Sequence, residues 1–71
     1  MKDNLYYKAA IAQFQAKADE ARAVLDTFLN SAVGIGDHSN ILNEITHWTK
    51  VLCEAEECIE TLEVYAGEQD G

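Results

Sequence analysis

Apolar or small residues recur at Tyr7, Ile11, Phe14, Ala18, Ala21, Leu25, Phe28 and Ala32, in alternating steps of four and three. After a short polar interruption, Ile41, Ile45, Trp48, Leu52, Ala55, Ile59, Leu62 and Ala66 repeat the same steps. Spacing that averages 3.5 residues puts one apolar seam on an α-helix and is the pattern of coiled-coil packing. The pattern predicts an all-α protein with helix 1 over about residues 4–32 and helix 2 over about 40–66. A turn over 33–39 and an acidic tail over 67–71 complete the single domain, 1–71.

One continuous helix does not fit this phase. Extending the first seam past Ala32 would place Ser39, Thr46 and Thr49 on it and displace Ile45 and Trp48. The register restarts, so the chain turns. Folding helix 2 back pairs Phe28 with Ile45, Leu25 with Trp48, Ala21 with Leu52, Ala18 with Ala55, Phe14 with Ile59 and Ile11 with Leu62. Every step forward on one helix is matched by an equal step back on the other, as an antiparallel hairpin requires. The Ala18/Ala55 layer is thin and needs a close helix approach or a neighbouring side chain to fill it.

The two flanks of the seam differ. On one, Lys8 falls near Glu63, Gln15 near Glu56 and Arg22 near Thr49, which reads as a solvated rim. On the other, Ala10 falls near Tyr65, Val24 near Val51 and Lys17 near Cys58, and this flank is mostly apolar. A long apolar strip left open on a hairpin marks an interface. The chain has 71 residues, 48% of them hydrophobic, and domains this short often need a disulfide, a metal or a second copy to fold firmly. Cys53 and Cys58 are five residues apart, which places them roughly 140° apart around a helix, so they do not bridge each other there. No zinc-type spacing of Cys and His is present. Self-association is therefore expected: a homodimer forming an antiparallel four-helix bundle, with Ala10, Val24, Val51, Cys58 and Tyr65 at the contact.

The net charge of −8 is placed unevenly. Lys2, Lys8, Lys17 and Arg22 balance the acids of helix 1, whereas Lys50 stands alone against the acids of helix 2. Repulsion disfavours direct binding to nucleic acid or to an anionic membrane. The stretch EAEECIETLEVYAGEQD carries seven carboxylates and no base. It reads either as a solvated helix face or as a docking surface for a partner with a basic surface, with Glu54, Glu57 and Glu60 pointing away from the seam. No apolar run near 18 residues and no secretory h-region occurs, and the two thiols are expected to be free; together these point to a cytoplasmic protein.

The turn is the remaining candidate for chemistry. Gly34 suits a helix C-cap, and Asp37, Ser39 and Asn40 suit the N-cap of helix 2. The alternative is an anion cradle using Gly34, Gly36, His38 and Ser39, although no phosphate-loop pattern is present and Asp37 would repel an anion. His38 alone has no structural role in the first account. His47 reads as a surface residue and Trp48 as a seam aromatic. No nucleophile has a base nearby in sequence, so no catalysis, metal or cofactor is expected.

The segment VGIGDHSNILNEI between two amphipathic helices resembles small accessory proteins of tailed bacteriophages, in which a V-G-[IV]-G-[DE]-H-[SP] linker precedes a second amphipathic helix. The resemblance covers roughly residues 20–65, with Val33 to Ser39 as its distinctive motif. It implies a non-enzymatic protein acting in the host cytoplasm, binding a host protein to modulate it or to blunt a defence. A helical oligomer that sequesters a nucleotide immune signal at the Gly34–Ser39 turn is the alternative, and a structural subunit of a larger assembly a third. The resemblance assigns no site residue.

Overall fold

A computed structural model describes residues 1–30 and 38–70. Two α-helices account for nearly all of them: α1, Leu5–Asn30, and α2, His38–Asp70. They pack side by side as an antiparallel hairpin, 51 × 15 × 15 Å in extent. The last seam residue of helix 1, Ala32, lies outside the described residues, as do Gly34, Gly36 and Asp37 of the turn.

The start of α1 has a local cause. The Asn4 side-chain oxygen accepts hydrogen bonds from the backbone N–H groups of Tyr6 at 2.8 Å and Tyr7 at 3.2 Å. Its carbonyl accepts the first helical bond, from Lys8 N–H at 3.1 Å. Asn4 is thus an N-cap, satisfying two donors that the first turn leaves without a partner. Within the helices, Thr27, Thr46 and Thr49 return their hydroxyls to the carbonyls one turn earlier, those of Ala23, Leu42 and Ile45.

The far end of α2 differs from expectation. Residues 67–70 continue the helix rather than forming a tail, and Gly67 does not end it. A glycine in a helix costs about 1 kcal/mol relative to alanine. That is too little to stop a helix with no proline and with the good helix formers Glu68 and Gln69 following. At its other end α2 begins at His38, so His38 and Ser39 belong to its first turn rather than to the connection.

The seam packs along the interface. Ala18, Ala21, Ile41, Ala55 and Ala66 are buried, and Tyr7, Ile11, Phe14, Leu25, Phe28, Ile45, Trp48, Leu52, Ile59 and Leu62 are half-buried. Ala18 and Ala55, the thin layer, are at 0% and 3% exposure. Yet among the described residues no large side chain is fully buried. The small residues close the middle of the seam while the large ones lean out to its edges. The radius of gyration is 15.8 Å, against about 11 Å for a compact chain of this length.

Two substitutions test the helix ends. Asn4→Ala should lower stability by about 1 kcal/mol through loss of the cap. Gly67→Ala should raise it by about 0.5–1 kcal/mol, because a methyl group there meets nothing within 4 Å. Urea unfolding followed by circular dichroism measures both.

Candidate interaction site

One flank of the hairpin is closed by polar contacts. Arg22 donates through Nη2 to Glu56 Oε2 at 2.9 Å and through Nη1 to Asp19 Oδ1 at 3.2 Å. Gln15 donates to the same Asp19 oxygen at 3.2 Å. Glu56, expected near Gln15, is thus bonded by Arg22, one layer along the same flank. The long guanidinium leans along the groove to reach a carboxylate, which gives a charge-assisted bond that Thr49 cannot offer. The Arg22–Glu56 ion pair ties α1 to α2 across this flank.

The other flank is open and apolar. Ala10, Val24, Val51 and Cys58 are half-buried, and Tyr65 is 53% exposed. Three shallow grooves follow one another along it. The first is lined by Tyr6, Tyr7, Ala10, Leu62 and Tyr65 beside the N-terminus, about 390 Å³ in volume. The second, about 510 Å³, runs between Phe14 and the α2 residues Glu57, Cys58, Thr61, Leu62 and Tyr65. The third, about 180 Å³, lies against the alanine layer, between Phe14 and Lys17 on α1 and Val51, Glu54, Ala55 and Cys58 on α2. The structure thus brings Ala10 beside Tyr65, and Val51 beside Cys58, on one continuous strip. Phe14 joins them because its alanine neighbours are too small to cover it. The seam position alone did not reveal that role.

Lys17 marks the middle of the strip. Its ammonium lies 3.1 Å from Glu20 and 5.7 Å from the centre of the Trp48 ring. The indole N–H of Trp48 donates to Glu44 at 3.1 Å, one turn earlier, and the His47 ring meets it edge-on at 5.2 Å. Trp48 is therefore a half-buried aromatic whose polar atom is satisfied within its own helix. The Glu44–Trp48 spacing of one helical turn was visible in sequence; the reach of Lys17 across the groove was not.

The three acids singled out from sequence lie close to this strip. Glu54 and Glu57 border its grooves, and Glu57 and Glu60 flank a further shallow concavity with Thr61 and Val64. All three are exposed, and among the described residues none is held by a base. Of the turn residues proposed to bind a ligand, Gly34 and Gly36 lie outside the described residues, while His38 and Ser39 are placed only as backbone in the first turn of α2. Cys53 and Cys58 are free thiols. Among the described residues no group of three or more His, Cys, Asp or Glu could hold a metal ion, and no helix is long and apolar enough to cross a membrane.

The chain matches no protein-family model, and no similar curated protein or solved structure is found.

The closed flank should contribute little to stability. Both partners of the Arg22–Glu56 pair are about half exposed, at 48% and 53%, and such pairs are worth less than about 1 kcal/mol. Arg22→Ala should lower the unfolding free energy by no more than that, with the loss shrinking further in 0.5 M salt. A larger, salt-insensitive loss in urea titrations would contradict a solvated rim.

Proposed function

We propose that this chain is a non-enzymatic interaction protein: a helical hairpin that dimerises into a four-helix bundle and presents acidic helix faces to a protein partner with a basic surface. One observation carries this reading, the apolar strip running from Ala10 and Tyr65 at one end to Val51 at the other, bordered by acids that no base among the described residues neutralises. An open apolar strip favours association, because each buried side chain leaves water. The carboxylates of Glu57 and Glu60, which flank the concavity with Thr61 and Val64, repel anionic surfaces and attract cationic ones, which steers the choice of partner.

The phage-type linker motif supports reading that partner as a host protein that the hairpin modulates, in the manner of host takeover or anti-defence factors. In the dimer the outer faces of both α2 helices stay in solvent, so one assembly offers two copies of the acidic surface. Paired sites of this kind strengthen binding to a partner that is itself symmetric or repeated.

Glu60, which borders none of the strip grooves, gives the cleaner test of the acidic face. The substitution Glu60→Lys should weaken capture of the host partner by the tagged protein about tenfold or more, with the helical circular dichroism spectrum and the sedimenting mass unchanged. Undiminished capture by the folded variant would count against the acidic face.

A further inference from the structure

We infer that the strip is covered by a second copy of this chain laid with α1 over α2 of its neighbour, so that Lys17 of each copy meets Glu54 of the other. The inference rests on the proposed dimer and specifies how it is built. The first support is area. The chain exposes 5210 Å², whereas a compact monomer of 7.9 kDa would expose about 4,400 Å². The excess, about 800 Å², reflects the elongated hairpin, 51 × 15 × 15 Å, which leaves the side chains of the strip in water. A second copy brings both an apolar strip and, at its centre, charges opposite to those it meets.

Charge decides the arrangement. Along the strip the α1 positions are Ala10, Lys17 and Val24, and the α2 positions Val51, Cys58 and Tyr65, so Lys17 and Cys58 stand at its centre. Glu54 shares a groove with Lys17 and borders the strip on the α2 side. Two copies related by a two-fold axis through this centre can stack in two ways. Stacking like helices sets Lys17 against Lys17, which places like charges at the middle of a contact that excludes water. Stacking unlike helices sets Lys17 against Glu54 twice. The second arrangement also lays the base-bearing helix of each copy over the acid-rich helix of the other, which relieves the repulsion between two α2 helices. Lys17 is free to make the change, since its side chain is 56% exposed and held only by Glu20 and the face of Trp48.

Single and mixed charge reversals read this arrangement in the full chain. Lys17→Glu alone and Glu54→Lys alone each place like charges at both contacts, and should weaken dimerisation about tenfold or more. An equimolar mixture of the two variants restores opposite charges at both contacts and should recover the wild-type dissociation constant in sedimentation equilibrium. Both sites are exposed, so circular dichroism should show full helix content; Glu54→Gln, which keeps the side-chain shape, should weaken the dimer less than Glu54→Lys. Single variants that dimerise as tightly as wild type would mean that like helices stack. A mixture no better than its components would place the contact within one chain. Either result overturns the arrangement while leaving a dimer intact, whereas a wild-type chain that stays monomeric at 100 µM overturns the dimer itself.

Discussion

The packing of small residues at the middle of the seam governs the rest of this molecule. Ala18, Ala21 and Ala55 are buried there because two helices can approach closely where little bulk stands between them. Close approach has a consequence for the large residues. Phe14, Leu25, Trp48 and Leu62 cannot lie between the helices where the gap is narrow, so they splay to the edges and remain half exposed. A two-helix hairpin has only one interface in which to bury apolar area, and here its centre is occupied by methyl groups. The hydrophobic term scales with the area removed from water. The side chains with most area to contribute are those the hairpin alone leaves incompletely covered.

The asymmetry between flanks follows from this splay. Where Arg22, Asp19, Gln15 and Glu56 meet, polar side chains bridge the edge and water solvates them. Along Phe14, Val51, Cys58 and Tyr65, no hydrogen bond or ion pair is seen to join the two helices among the described residues, and grooves remain. Lys8, Lys17 and Arg22 lie on α1, whereas α2 has Lys50 as its one base and carries most of the acids. That division weakens any contact between like helices and favours contacts between unlike ones. It also leaves an acidic outer face, at the cost of carboxylates near the C-terminal end of a helix, where the dipole opposes them.

Much of this was legible in the sequence, for a physical reason. Steps of four and three report directly on which side chains share a helix face, and the described seam residues are all buried or half-buried. The phase break after Ala32 indicated a reversal, and equal and opposite steps indicated antiparallel pairing. The apolar flank was visible at Ala10, Val24, Val51 and Cys58 for the same reason. Helix ends were less legible. Asn4 caps α1 through a bond whose donors lie two and three residues on, a signal no periodicity carries. Gly67 looked like a stop, but one glycine costs less than the helical bonds around it contribute. The reach of Arg22 to Glu56 and of Lys17 to Trp48 depends on long, flexible side chains whose direction no spacing rule sets.

If the hairpin depends on a second copy to cover its strip, its folding and its association are one equilibrium, and its stability must depend on protein concentration. Thermal unfolding of the wild-type chain over a hundredfold range of concentration tests this most directly. The midpoint should rise by several degrees from the lowest concentration to the highest, as mass action requires of a dimer that unfolds to single chains. A midpoint that does not move across that range would show that the hairpin is complete by itself, and would contradict a fold that depends on its second copy.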